Sequence, residues 1–236
     1  MTASVEEILQ SALEDLLGAD APLAERLDTY ARVLHQYNRP FAESVDRLVQ
    51  RLTQVGAGSS APAVGDRMPD FLLPDDDGRL VSLQSLLGRG PLVLAFRRGH
   101  WCPYCLLSTN ALARVQTAIA RSGARLAVVT PEREAFGKLL KLRTQAQFQV
   151  FSDIDNGYAL SIGLAIAVGD EMREAMGGRG RDLGVYQGND AWVLPIPATY
   201  VIDSTGVVAF RHVDADYRRR ADVEAILAAI DASSGT

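Results

Sequence analysis

The chain has 236 residues, of which 47% are hydrophobic and 22% are charged, and these values are ordinary for a folded globular protein. Its formal net charge of −5 gives no indication of nucleic-acid binding. The first residues lack the basic and apolar regions of a secretory signal, no stretch approaches the length of a membrane span, and cysteines are few. We therefore expect a cytoplasmic protein that binds neither nucleic acid nor a membrane.

The first 55 residues are predicted to form three helices. Their apolar residues recur at the 3.6-residue spacing of amphipathic helices, and turn-like segments around residues 19–22 and 38–40 separate the three stripes. We assign residues 1–55 to a helical extension, residues 56–62 to a linker of small residues, and residues 63–236 to the main domain. Two interpretations of the extension stay open: a packing appendage that covers the main domain, and an arm for dimerisation or for another partner.

The main domain alternates between predicted strands and helices. This order indicates an α/β fold with a mixed central sheet flanked by helices. Residues 165–190 are expected to be irregular, apart from a helical segment at 170–176, and to form an insertion near the site, as a lid would. The predicted strands are 71–73, 80–81, 91–97, 125–130, 148–151, 199–202 and 207–212, and the predicted helices are 82–87, 103–121, 131–144, 155–164 and 221–230.

The two cysteines of the chain, Cys102 and Cys105, form a Cys-x-x-Cys pair where a predicted strand ends and a predicted helix begins. The unpaired N–H groups and partial positive charge of a helix N-terminus favour a thiolate, which is the reactive form of cysteine. Structural zinc would need further Cys or His ligands at suitable spacing, and haem attachment would need His where the chain has Leu106. The pair therefore predicts thiol redox chemistry without a metal or an organic cofactor, and two inert core cysteines are the alternative.

Three further segments of the chain carry a family signature. Residues 69–83 contain Pro-Asp-Phe-Leu-Leu-Pro and Gly-Arg-Leu-Val-Ser-Leu, and residues 96–105 read Phe-Arg-Arg-Gly-His-Trp-Cys-Pro-Tyr-Cys. Residues 197–203 read Pro-Ala-Thr-Tyr-Val-Ile-Asp and are followed by Gly206 and Asp216-Tyr217. These segments resemble the peroxiredoxin-like branch of the alkyl hydroperoxide reductase/thiol-specific antioxidant (AhpC/TSA) family. The resemblance covers roughly residues 62–232 and implies a thioredoxin-like fold and thiol-dependent redox activity.

The resemblance also implies roles for individual residues. Cys102 corresponds to the peroxidatic cysteine, which attacks a peroxide and becomes a sulfenic acid, and Cys105 to the resolving cysteine, which closes the Cys102–Cys105 disulfide. Pro197 corresponds to the cis-proline that faces the thiols in thioredoxin-like folds. Arg98 is the nearest candidate for the arginine that stabilises the thiolate, with a surface charge or salt bridge as the alternative. Trp101 is expected to pack against the site and shield it.

Two features keep other activities open. The peroxiredoxin pattern Pro-x-x-x-Thr-x-x-Cys is replaced at its first two named positions by Ala95 and Gly99. Cys-Pro-Tyr-Cys is also a glutaredoxin motif, which indicates disulfide exchange. The leading hypothesis is a peroxidase that reduces hydrogen peroxide or organic hydroperoxides and is restored by a thioredoxin- or glutaredoxin-type dithiol. The alternatives are a protein disulfide reductase and a non-catalytic redox sensor. A homodimer is compatible with the family, whose members often form dimers.

Several polar residues near these segments are assigned ordinary structural roles. We expect His100 to be a solvated loop residue rather than a proton carrier, and Tyr104 to point outward towards a partner. Arg218, Arg219 and Arg220 are expected to form a solvated helix start. Asp153 and Asp155 are expected to cap a helix rather than bind a metal.

Overall fold

In the computed structural model, which describes residues 3–233, the N-terminal region forms three helices: α1 (Val5–Gly18), α2 (Leu23–Tyr37) and α3 (Arg39–Gln54). The helix α1 begins at a capping box in which the Ser4 hydroxyl accepts from the Glu7 amide. The side chain of Asn38 accepts from the Phe41 amide at the start of α3. The three-helix prediction is therefore correct, and each helix buries most of the apolar stripe that predicted it.

A five-stranded mixed sheet forms the centre of the main domain. The strand order is β5-β4-β3-β8-β9, with β3, β4 and β5 parallel and with β8 antiparallel to both β3 and β9. Every residue of β3 and β8 is buried, because helices cover both faces of the sheet. These strands are β3 (Leu92–Phe96), β4 (Arg125–Thr130), β5 (Gln149–Ser152), β8 (Ala198–Ile202) and β9 (Val208–Val213).

Two antiparallel pairs lie outside the central sheet. They are β1 (Leu72–Pro74) with β2 (Leu80–Ser82), and β6 (Ala165–Ala167) with β7 (Val193–Pro195). The remaining helices are α4 (Leu83–Leu87), α5 (Pro103–Arg121), α6 (Glu134–Thr144), α7 (Gly157–Ser161), α8 (Asp170–Gly177), α9 (Leu183–Gln187) and α10 (Val223–Ser233). Among the described residues no helix is long and apolar enough to cross a bilayer.

The segment 165–190 is more ordered than predicted. It contains β6, α8 and α9, and β7 follows it directly. Three-residue strands and the five-residue α9, which ends at Gly188 in a left-handed conformation, are too short to produce a periodic pattern. The expectation of an irregular segment was therefore wrong, while the helix expected at 170–176 is present as α8.

The N-terminal helices pack directly on α5, the helix that follows the two cysteines. Arg26 of α2 is buried and donates to the Asn110 side-chain oxygen of α5 at 2.9 Å and to the Leu16 carbonyl at 3.3 Å. The ring of Tyr30 meets that of Tyr104 edge-on, with centroids 5.5 Å apart. The extension and the main domain therefore share one apolar core.

We predict that Asn110→Leu destabilises the protein by about 1–3 kcal/mol, because it leaves the buried guanidinium of Arg26 with one acceptor fewer at nearly constant volume. The measurement is the free energy of unfolding in urea. Thr109→Val is the matched control, since the neighbouring Thr109 hydroxyl is buried without a hydrogen-bond partner. Equal stability of the two variants would contradict the role given to Asn110.

Candidate active site

The two cysteines lie at the start of α5, directly after the loop that leaves β3. Cys102 is the N-cap residue, and its carbonyl accepts from the amides of Cys105 and Leu106, each at 3.0 Å. Both thiols are free, and they are 1% and 0% exposed. The predicted strand-to-helix placement is correct, but the pair is enclosed rather than presented to solvent.

Arginine side chains surround the thiol pair. The Cys105 sulfur accepts from the Arg98 amide at 3.3 Å and from Nη2 of Arg220 at 3.6 Å. Arg97 is buried beneath the pair, and its Nη1 donates to the carbonyls of Phe96 at 2.9 Å and Ala198 at 3.3 Å. Within residues 3–233, no carboxylate is within ion-pair distance of Arg97, Arg98 or Arg220.

This environment shifts the pKa values of the two thiols in opposite directions. Burial raises the pKa of Cys102, and the hydrogen bond to Cys105 raises it further. Burial also opposes ionisation of Cys105, but the hydrogen bond with Cys102 and the charges of Arg220 and Arg97 outweigh it, so the pKa of Cys105 lies well below its usual range. The same burial, together with the charge of Arg220, lowers the pKa of Arg97 to about 9. The pair therefore carries one negative charge more readily than a free cysteine and resists a second.

Arg98 lies beside the thiols and is 4% exposed, so it is not a surface charge. Its guanidinium carbon is 3.9 Å from the ring centroid of Tyr217 and 5.1 Å from that of Trp101. Cation–π contacts of this kind hold a charge in place without neutralising it. Trp101 is itself buried, and its ring stacks near that of Tyr186 in α9, so it lies between the site and the segment 165–190.

His100 is part of a buried polar cluster and not a solvated loop residue, which corrects the expectation from the sequence. Its amide and its Nδ1 contact the two carboxylate oxygens of Glu132, each at 2.7 Å. The imidazole stacks on Phe136, with centroids 4.8 Å apart. The Glu132 side chain is fully buried, and burial raises its pKa against the opposing effect of His100. The cluster fixes the loop between β3 and the cysteines.

Because Gly99 has no side chain, the carboxyl group of Glu132 can pack against it. Its φ of +141° is outside the range that other residues favour, and a Cβ there would be 2.5 Å from the Glu132 carboxyl carbon and 2.7 Å from Trp101 Nε1. The glycine at the position where the peroxiredoxin pattern has threonine is therefore required by this packing.

Two other expectations were wrong. The Ile196–Pro197 bond is trans, so Pro197 is not a cis-proline. The chain on either side of Pro197 is held by hydrogen bonds: the Ile196 amide donates to the Leu164 carbonyl, and the Ala198 carbonyl accepts from Arg97. Tyr104 does not point outward, because its ring is buried between Tyr30 and Tyr217.

The arginine cluster at 218–220 is also not a simple solvated helix start. Arg218 pairs with Asp216 and Asp46, Arg219 is exposed, and Arg220 reaches the Cys105 sulfur. Because acidic residues are close to this cluster in the sequence, its positive charges looked locally neutralised. No signal in the chain shows that Arg220 lies next to a cysteine 115 positions earlier.

No set of His, Cys, Asp and Glu side chains in residues 3–233 is arranged to hold a metal ion. Asp153 accepts from the amides of Tyr158 and Ala159 at the start of α7, which confirms the capping role expected for it.

A model of the AhpC/TSA family matches residues 64–211. The chain belongs to this family. Among curated relatives, it is 28% identical over 152 residues to the thiol:disulfide interchange protein DsbE of Vibrio cholerae, covering 64% of this chain and 65% of the relative. It is 27% identical over 146 residues to the chloroplastic peroxiredoxin Q of Oryza sativa subsp. japonica, covering 62% and 57%. The chain thus spans less than two thirds of the length of either relative.

Solved structures show the same fold. Peroxidoxin BcpB from Mycobacterium tuberculosis superposes with a TM-score of 0.56 at 20% identity, covering 72% of this chain and 97% of that one. Peroxiredoxin Q of Xanthomonas campestris superposes with a TM-score of 0.52 at 15% identity, covering 70% and 91%. The predicted thioredoxin-like fold with an N-terminal helical region is confirmed.

We predict that Gly99→Ala destabilises the protein by about 1–3 kcal/mol or more, because the left-handed conformation is strained for alanine and the methyl group collides with the buried Glu132. The measurement is the free energy of unfolding of the reduced protein. Gly177→Ala in α8 is the control, since a Cβ there meets nothing within 4 Å. A fully stable Gly99→Ala variant would show that the loop adapts easily.

Proposed function

We propose that the protein is a thiol peroxidase that reduces hydrogen peroxide or a small organic hydroperoxide. The observation that carries the proposal is a small cavity beside Cys102, about 20 Å³ in volume, with room for roughly one water-sized molecule. Tyr30 and Phe41 close it from the N-terminal helices, and Met176 and Arg181 close it from the segment 165–190. A hydrogen peroxide molecule is close to this size, whereas a protein disulfide is far larger.

The proposed reaction uses the two sulfur atoms in turn. Cys102 passes its proton to the Cys105 thiolate as its sulfur attacks one peroxide oxygen. The O–O bond breaks, and the other oxygen takes up that proton from Cys105 and leaves as water or alcohol, so Cys105 is again a thiolate. Cys102 is then a sulfenic acid, and Cys105 attacks its sulfur to close a disulfide and release water. The charge of Arg98 favours the anionic form of both cysteines. An external dithiol of the thioredoxin or glutaredoxin type would reduce the disulfide, and the cytoplasm is the proposed site of action.

Disulfide exchange is the second candidate function. It is supported by the similarity to the thiol:disulfide interchange protein DsbE and by Gly99 at the position where the peroxiredoxin pattern has threonine. A substrate disulfide would reach Cys102 only after the residues that close the cavity had moved. Reduction of insulin by the protein faster than by free dithiothreitol, with no fast reaction with peroxide, would favour this candidate.

We predict that hydrogen peroxide oxidises the reduced protein about a thousandfold faster than it oxidises a free thiolate at the same pH, since binding and fixed charges lower the barrier. Stopped-flow tryptophan fluorescence measures this second-order rate. Cys102→Ser is expected to abolish the reaction, whereas Cys105→Ser is expected to keep the first oxidation and lose turnover. A rate no better than that of a free thiolate would overturn the peroxidase proposal.

We also predict selectivity for small peroxides. A bulky aromatic hydroperoxide is expected to react at least about tenfold more slowly than hydrogen peroxide, because the cavity is too small for it. Phe41→Ala enlarges the cavity and is expected to narrow this ratio, whereas Tyr37→Ala, at an exposed position of α2, is the control. Equal rates for the two peroxides in the unmodified protein would contradict a size limit set by this cavity.

A further inference from the structure

One guanidinium group contacts the sulfur of Cys105 and does not line the cavity beside Cys102. Arg220 belongs to the segment that precedes α10, and its Nη2 is 3.6 Å from the Cys105 sulfur. The cavity beside Cys102 is lined by Arg98 and not by Arg220. Arg98 and Arg220 both favour a negative charge on the thiol pair, but the guanidinium of Arg220 contacts the Cys105 sulfur directly.

Arg97 is buried and Arg220 is half-buried, and both lack a carboxylate partner among the described residues. Neither is within ion-pair distance of a carboxylate in the part of the chain that the structure describes, and the Nε atom of each is buried without a hydrogen-bond partner. A buried charge without a counter-ion is costly to fold around. The group beside them that can supply a negative charge is the sulfur of Cys105, which also accepts the Arg98 amide.

We propose that Arg220 is the counter-ion of Cys105, and that it holds this resolving cysteine as a thiolate ready to attack the oxidised Cys102. The consequence for turnover rests on the proposed peroxidase function, but the ionic state of Cys105 does not. In the step that Arg220 assists, the Cys105 thiolate forms a bond to the Cys102 sulfur and the Cys102 S–O bond breaks. The departing hydroxide takes up one proton and becomes water, so peroxide is the oxidant of the whole sequence.

Some other groups around the Cys105 sulfur favour its ionisation, and others oppose it. Arg97 and Arg98 favour the thiolate, and the raised pKa of Cys102 keeps that neighbour protonated as a hydrogen-bond donor. Glu132, after β4, repels a negative charge on Cys105 but is engaged by His100. The titratable and charged groups facing this region are Cys102, Arg97, Arg98, Glu132, His212, Tyr217 and Arg220.

The test is a pH titration of thiolate absorbance in the far ultraviolet, in a Cys102→Ser background that leaves Cys105 as the single cysteine. Arg220→Gln is expected to raise the measured pKa of Cys105 by about one to three pH units, because it removes an adjacent positive charge. Arg220→Lys keeps the charge and is expected to raise it less. Arg219→Gln is the matched control, since Arg219 is exposed and faces Asp214, and it is expected to leave the titration unchanged.

A second readout follows resolution in the protein with both cysteines. After peroxide addition, Arg220→Gln is expected to slow disulfide closure about tenfold at neutral pH while the preceding oxidation of Cys102 keeps most of its rate. Circular dichroism checks that each variant is folded. If Arg220→Gln does not fold, the Cys105 pKa and the rate of disulfide closure are compared between Arg220→Lys and the unmodified protein instead. A Cys105 pKa that is the same in the Arg220→Gln and Arg219→Gln variants would overturn the proposal. If peroxide does not react but the titration depends on Arg220, the proposed function fails and the role of Arg220 stands.

Discussion

The structure depends on one electrostatic constraint: three arginines, two of them buried and one half-buried, lie around two thiols without a carboxylate among the described residues to neutralise them. Arg97 and Arg98 are buried, and the half-buried Arg220 contacts the buried Cys105 sulfur. Charges in such a region interact far more strongly than at a surface. An anionic sulfur is the group that relieves this excess of positive charge. The site is therefore built to favour a thiolate, and oxidation to a disulfide removes the anion that the arginines stabilise.

The enclosure of the site is the second physical feature, and it comes from parts of the chain outside the five-stranded sheet. Tyr30 and Phe41 reach the cavity from the N-terminal helices, and Arg179 and Arg181 pair with Glu6 of α1. The extension and the segment 165–190 therefore meet over Cys102 and line the small cavity beside it. The extension that the sequence left between two interpretations packs over the site in this structure.

Much of the fold could be predicted because its long elements repeat a clear pattern. The buried strand before the cysteines, the helix α5 and the three N-terminal helices are each determined by local spacing of apolar residues. The pair β6 and β7 and the helix α9 are too short for such a pattern. The Cys-x-x-Cys pair and Arg98 are adjacent in sequence, so their proximity could also be predicted.

The remainder of the site depends on tertiary packing. Arg220 and Glu132 approach the cysteine loop from distant segments, and each looks like an ordinary helix-start residue in the sequence. The expectation of a cis bond before Pro197 came from family resemblance, and the extended chain between β7 and β8 is accommodated with a trans bond. Gly99 was visible as a departure from the family pattern, but its reason became clear only when Glu132 was placed against it.

The central claim is that peroxide oxidises this thiol pair through Cys102 and that Cys105 completes the disulfide. Intact-protein mass spectrometry after one equivalent of hydrogen peroxide tests it most directly. We expect the unmodified protein to lose two hydrogen atoms, the Cys105→Ser variant to gain one oxygen atom, and the Cys102→Ser variant to keep its mass. Oxygen added to Cys102→Ser but not to Cys105→Ser would reverse the two roles, and no change in the unmodified protein would contradict the account.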